Sequence, residues 1–347
     1  MICFAWCEYP QYGARCVGAF VRSTDEEVVV VATKPRVPVS GMDELSGCRV
    51  VWLEANEHRT LREILGDLPR AMLVSGWGID LFNRFSAEVR RNGGRVIAGC
   101  DNNFDLSLKS ILKAVRFRLF LKKRYDGFWV PGISGDKLLR LYGVPVGKRY
   151  VSSYAADASL FQDGGDLTSR LKRILFVGQI NERKNIVPFC EAFLSISESK
   201  RNGWQVEVCG CGPLRDKIPA DPAIIVHDFV QPELLAGVYR QVRCFVLPSV
   251  EEHWGLVVHE AALSGCILLL SDTVGAKEDF LSEGENGYSF PPLNRMRMRQ
   301  AIEQVMSLEG DALEKARMKS LQLSQNISVT KFVSEMHRFI DADTKER

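Results

Sequence analysis

"CFVLPSVEEHWGLVVHEAALSG" (residues 244–265) changes character twice. "CFVLPS" reads as a buried strand that Pro248-Ser249 ends. A polar loop follows, Glu251-Glu252-His253, and a helical pattern resumes at about Gly255, with Leu256, Val257, Ala261, Ala262 and Leu263 turned toward a sheet. Strand, loop and helix in that order form one unit of a parallel sheet, and such sheets bind ligands beyond the carboxyl ends of their strands, where this loop lies. Glu260, a little over one turn into the helix, has no place in a purely apolar packing face. Together with Glu252 it flanks the amides of Gly255, Leu256 and Val257, a helix end that favours negative charge. A pyrophosphate fits the amides, and hydroxyl groups fit the carboxylates. A loop acid followed by a helix-capping acid would give the same letters, and this stretch alone leaves both readings open.

The same rhythm runs through the chain. Short β-branched runs at 27–33, 49–54, 71–76, 95–101 and 127–132 alternate with amphipathic segments, and the alternation lapses at "DASLFQDGGDLTSR" (157–170), which reads as a linker. It restarts at 173–179, 204–210, 223–229, 244–249, 266–272 and 287–290. The expected fold class is therefore α/β, with two Rossmann-like domains facing across a cleft. Their expected spans are 1–163 and 164–330, with 331–347 a C-terminal helix and tail free to pack back on the N-terminal domain.

Bulk properties agree. At 347 residues the chain can bury two cores, and its 46% hydrophobic and 25% charged residues are ordinary globular values. A net charge of +2 does not imply nucleic acid. Ten scattered cysteines read as buried thiols in a reducing cytosol, and Cys209-Gly-Cys211 lacks the spacing of a zinc site. "MICFAWCEYP" has no basic n-region, and no apolar run approaches the ~18–20 residues of a spanning helix. A soluble protein, or one lying on a membrane surface, is expected.

Two further segments carry chemistry. In "FVGQINERKN" (176–185) a strand ends in Gly178 and is followed by a polar loop with Arg183 and Lys184 near a helix start, an anion site or a solvated loop. "VCGCGPL" (208–214) ends a strand in Gly-x-Gly-Pro without the third glycine of a dinucleotide fingerprint, which disfavours a dinucleotide oxidoreductase.

Glu252 and Glu260 are separated by seven residues, and "PSVEEHWGLVVHEAALSG" resembles the E-x7-E motif of retaining family 4 glycosyltransferases of the GT-B fold. In the family's order, "FVGQINERKN" resembles its VGR-x4-KG loop and "VEVCGCGPLRDKI" its GxGP turn. "IIVHDFVQPELLAGVYRQVRCFVLPS" resembles the segment leading into the motif, and "VGAKEDFLSEGENGYSF" its GG-x-x-E…NG tail. "SSYAADASLF" (152–161) resembles the end of the family's first domain, while the rest of the N-terminal half matches only in its α/β rhythm.

The resemblance implies a retaining, metal-independent glycosyltransferase that needs no cofactor. It would move a sugar from a nucleotide-diphosphate sugar to a glycan or a polyprenyl-diphosphate-linked acceptor, in surface polysaccharide or glycoconjugate assembly. Carried over, Glu252 faces the donor sugar, Glu260 accepts from the ribose, the Leu256 and Val257 amides hold the distal phosphate, and Lys184 neutralises the diphosphate. Gly178, Gln179, Arg183, Val230 and Gly255 complete the donor site, with Gly13 in the N-terminal loop. No metal ligands are implied, and Asp341-Ala-Asp343 sits in a polar tail rather than in a DxD site.

Departures are visible. Gln179 stands where the family has Arg, Asn185 where it has Gly, Trp254 where Phe is common, and Asp101 with Asn102 where an active-site His is frequent, so that Asp101 takes the catalytic position. A nucleotide-sugar 2-epimerase of the same fold, or a catalytically silent binding homologue, are the alternatives.

The segment 107–125, "SLKSILKAVRFRLFLKKRY", has seven Lys/Arg and no acid, with Leu108, Ile111, Leu112, Val115 and Leu119 at helical spacing. It is either an amphipathic helix for an anionic membrane surface or a sheet-covering helix with a solvated basic side. A cytoplasmic protein, peripheral on the inner face of the plasma membrane, follows from the first reading.

Overall fold

The structure, a computed structural model, describes residues 1–35, 39–54, 56–104 and 108–342; Ser107 and Asp343 of the segments above lie outside the described residues. It divides into two compact units, Met1–Ala155 with Ile327–Arg347, and Ala156–Asn326, so the second is inserted into the first.

The first unit holds seven parallel strands: β1 (Ile2–Trp6), β2 (Val28–Ala32), β3 (Arg49–Trp52), β4 (Ala71–Val74), β5 (Arg95–Gly99), β6 (Gly127–Val130) and β7 (Arg149–Val151). Their order is β3-β2-β1-β4-β5-β6-β7. Every residue of β1, β2, β4 and β6 is buried, as continuous apolar runs require when helices cover both faces of a sheet. The closing helix Val329–Asp341 belongs to this unit, capped by Ser328, with Phe332 stacked 4.8 Å from Trp129 and 6.3 Å from Phe4. Arg95 donates to the Phe339 carbonyl at 2.5 Å, fastening the helix end.

The second unit has six parallel strands: β8 (Leu171–Val177), β9 (Gln205–Cys209), β10 (Ile224–His227), β11 (Val242–Leu247), β12 (Ile267–Ser271) and β13 (Gly287–Phe290), in the order β10-β9-β8-β11-β12-β13. Counted within its own unit this is again 3-2-1-4-5-6, the doubly wound order.

The stretch 157–170 is no linker. It belongs to the second unit, where Phe161 meets Tyr239 edge-on at 5.7 Å, Leu167 is fully buried, and Arg170 pairs with Asp163 at 3.1 Å while donating to the Ser264 carbonyl. Aperiodic sequence hid this packing, because the segment folds around one buried guanidinium rather than on an apolar stripe.

The helix Leu108–Arg116 continues through a π-type turn at Phe117–Leu121 and a 3-10 turn at Lys122–Arg124. Ser110, Ala114 and Phe117 face inward, Phe117 lying 4.9 Å from Phe128 and 4.6 Å from Tyr142. Ile111, Leu112, Val115, Leu119 and Phe120 are exposed, Leu112 by 70% and Leu119 by 65%. No helix among the described residues is long and apolar enough to cross a membrane.

Candidate functional site

A doubly wound sheet opens a crevice where its strand order reverses, because the loops leaving the two strands there run to opposite faces. In the second unit that point lies between β8 and β11. The loop after β8 is Gly178–Asn185, and the loop after β11 runs from Pro248 to Gly255. The topology alone thus brings together the two segments singled out in the sequence.

Their side chains meet. The Lys184 ammonium, buried, pairs with Glu252 Oε2, and Arg183 Nη1 lies 3.5 Å from the same oxygen. Ser249 Oγ donates to it at 3.2 Å. Arg183 also donates to the Glu251 carbonyl at 3.0 Å, so only the main chain of Glu251 is used and its side chain is exposed. Asn181 Oδ1 accepts from the Lys184 amide at 3.0 Å, fixing the loop that presents the lysine. Two cations meet one carboxylate in this cluster, while Glu182 and Glu251 of the same loops stand exposed.

Two glycines shape the surroundings. Gly210, ending β9, has φ +158°, and a Cβ there would fall 1.9 Å from the Gly178 carbonyl oxygen, so these two loops pass in direct backbone contact. Gly255, at φ +94°, turns the chain into the helix Leu256–Leu263. A helix leaves its first amides without an intrahelical acceptor, and here they belong to Leu256 and Val257.

Glu260 lies on that helix, buried, and accepts a hydrogen bond from Tyr239 Oη at 3.0 Å. Burial pushes its carboxyl up from 4.5 to about 7, against the opposing pull of the Tyr239 hydroxyl. Nothing near Glu260 in sequence pointed to Tyr239, which stands on the helix Pro232–Gln241 within an ordinary apolar stripe.

Asn185 has φ +56°, the left-handed region that Asn tolerates almost as glycine does. Its Nδ2 donates to the carbonyls of Pro248 and Pro292 at 3.1 and 2.8 Å, ties a glycine could not make. Trp254 is buried, with Nε1 donating to Asp279 at 2.8 Å. Gln179 is exposed, and its Oε1 accepts from Asn181 at 3.0 Å. Val230 is half-buried between β10 and the helix Pro232–Gln241.

Asp101 and Gly13 belong to the first unit. Asp101 follows β5 and accepts from Tyr154 Oη at 2.8 Å; Tyr154 in turn packs 5.1 Å from Tyr12. Gly13 is buried in the helix Gln11–Val21, where a Cβ would come within 3.2 Å of Trp6. Among the described residues no group of three or more His, Cys, Asp or Glu is placed to hold a metal ion.

Residues 171–308 match the family described as glycosyl transferases group 1. An uncharacterized glycosyltransferase of Methanocaldococcus jannaschii is 27% identical over 143 residues, which are 39% of this chain and only 36% of that protein. Among solved structures, Anabaena HepE in complex with UDP superposes with a TM-score of 0.76 at 10% identity, over 99% of this chain and 100% of that one. A glycosyltransferase of Rickettsia africae gives 0.74 at 11% identity, over 100% and 99%. The chain therefore has the fold of GT-B glycosyltransferases.

Proposed function

We propose that the protein is a retaining, metal-independent glycosyltransferase that takes its sugar from a nucleotide-diphosphate donor held by the second unit. The observation that carries this reading is the Lys184–Glu252 pair, set at the strand-order reversal beside the amino end of the helix Leu256–Leu263. The diphosphate lies across the Leu256 and Val257 amides, with Lys184 and Arg183 beside it. As the bond from the anomeric carbon to the diphosphate oxygen breaks, one forms to an acceptor hydroxyl, whose proton leaves with the diphosphate. Lys184 and the amides meet the charge that develops on that oxygen. Glu252 accepts from the sugar hydroxyls and Glu260 from the ribose. That Anabaena HepE has been solved with UDP and with UDP-glucose supports a nucleotide-sugar donor. The acceptor is a glycan or a polyprenyl-diphosphate-linked sugar of surface polysaccharide or glycoconjugate assembly, with Asp101 on the acceptor side.

Thermal denaturation with UDP-, GDP- and ADP-sugars tests the donor: at a hundred times its Kd the right one stabilises by about 2.7 kcal/mol. Nucleotide release with and without acceptor then separates transfer from epimerisation, and the absence of any stabilisation overturns the reading.

The two adjacent glutamates should part company. Glu252→Gln weakens the hold on Lys184 and removes a charged acceptor for the sugar, so turnover is expected to fall by about tenfold or more while nucleoside diphosphate affinity stays nearly intact. Glu251→Gln touches a side chain that is exposed, and rates should be unchanged. Initial rates beside calorimetry read both, and a silent Glu252 with a sensitive Glu251 would refute the assignment.

The outward apolar face of 111–120, bordered by Lys113, Arg116, Lys123 and Arg124, supports an anionic membrane surface, the inner face of the plasma membrane, as a second partner. Replacing Lys122, Lys123 and Arg124 by Gln is expected to weaken binding to anionic vesicles by about 1 kcal/mol per charge, measured by vesicle sedimentation, and to spare turnover on soluble acceptors.

A further inference from the structure

The first unit carries a cavity that the donor chemistry does not use. It has a volume of about 420 Å³ and is lined by Asn83, Ser86, Ala87, Arg90 and Arg91 on the helix Asp80–Arg91 and by Arg124 and Tyr125 at the end of the basic segment. Three guanidinium groups line it and no carboxylate does. Arg90 is held in place: Nη1 donates to the Lys123 carbonyl at 2.9 Å and Nη2 to Asp126 at 3.3 Å. Arg91 and Arg124 form no ion pair among the described residues, and both are exposed. Tyr125 Oη donates to Asn83 Oδ1 at 2.7 Å, and Asn83 Nδ2 donates to the Trp77 carbonyl at 2.9 Å, which fixes the floor.

The position matters as much as the charge. Through the Arg90–Lys123 hydrogen bond the cavity is joined to the run whose exposed side is Ile111, Leu112, Val115, Leu119 and Phe120. An apolar face and a guanidinium-lined pocket on one continuous run, 111–125, match one kind of molecule, an amphiphile with an anionic head. Guanidinium forks bind phosphate oxygens in pairs, and two of them, Arg91 and Arg124, beside an Arg90 already paired with Asp126, favour a phosphate with several unsubstituted oxygens.

We propose that this cavity seats the phosphate headgroup of an anionic phospholipid in the leaflet on which the 111–120 face lies. The proposal rests on the membrane-surface reading and adds to it a stereospecific site. Diffuse attraction to a charged surface reads only charge density, whereas a seated headgroup also reads phosphate exposure and room in the cavity.

The test uses the full chain and phosphatidylcholine vesicles carrying either phosphatidic acid, whose phosphate is a monoester, or phosphatidylserine, matched in surface potential. Binding to the phosphatidic acid vesicles is expected to be about fivefold tighter. Arg91→Gln removes one fork, and Ala87→Leu fills the cavity without changing charge; each should abolish that preference while leaving turnover on soluble acceptors unchanged. Phe120→Ser, on the apolar face, should weaken binding to both kinds of vesicle. Equal binding to the two vesicles, or a preference that survives Ala87→Leu, overturns the headgroup site and leaves the membrane surface standing. Wild-type protein that binds neither vesicle overturns both. Suppression of the preference by inorganic phosphate at millimolar concentration, with the protein remaining on the vesicles, would show a site for free phosphate and overturn the lipid assignment.

Discussion

Lys184→Ala should cost about two to three orders of magnitude in turnover with the right donor, the usual scale for losing a buried group aimed at developing charge. Arg183→Ala should cost less than about tenfold, because its guanidinium is half-exposed and only approaches the same oxygen, at 3.5 Å. Lys184→Ala also takes from the buried Glu252 carboxylate its closest cation, while Arg183 and Ser249 remain against it. An uncompensated buried charge costs about 3–5 kcal/mol, and partners such as Arg183 and Ser249 should hold the loss in stability to about 1–3 kcal/mol. Initial rates and denaturant titrations on both variants read these effects. Equal losses in turnover would mean that the diphosphate is shared between the two cations.

Glu260→Gln is expected to make the protein more stable and less able to bind nucleotide. The carboxyl titrates at about 7 in the fold and near 4.5 in the unfolded chain, because burial disfavours its charge. Below pH 4.5 both states are protonated and no difference arises. As pH climbs from 4.5 to 7 the unfolded chain sheds this proton and the folded one keeps it, so stability falls; above 7 the loss is constant, roughly 3 kcal/mol. Glutamine carries no charge to penalise, so the variant should gain roughly that amount above pH 7 and nothing near pH 4.5. Its nucleoside diphosphate affinity should drop by about ten- to a hundredfold, the worth of a hydrogen bond to a charged acceptor. Wild-type affinity should itself decline as pH falls through 7 and Glu260 takes up its proton, a dependence the variant lacks. Thermal denaturation and calorimetry across that range check both signs, and a variant that tracks the wild type at every pH removes the assignment.

The two loops that meet at the strand-order reversal were legible because their chemistry is local. Gly178, Lys184, Glu252 and Glu260 stand at fixed distances along the chain from the ends of strands, and a doubly wound order brings those ends together. Tyr239 was not legible, since its bond to Glu260 spans two elements whose sequences show only helix. The left-handed turn at Asn185 looked like a departure until its φ and its two carbonyl partners showed what the side chain adds. In 108–121 periodicity revealed an apolar stripe without its direction. A second stripe, Ser110, Ala114 and Phe117, meets the core, and small residues at two of those three positions made it the fainter one.

His259 binds both ends of the inserted unit. Its Nδ1 accepts from the Ala156 amide at 3.1 Å, and its Nε2 donates to the Ser324 carbonyl at 3.0 Å, with burial holding the ring neutral at a pKa of about 4. The first residue of the unit and a residue two before its last are thus fastened to opposite sides of one imidazole. A segment that enters and leaves at one point can be exchanged without re-routing the fold that receives it. In evolutionary terms residues 156–326 form a cassette, one that recombination could exchange whole while leaving the unit around it unaltered.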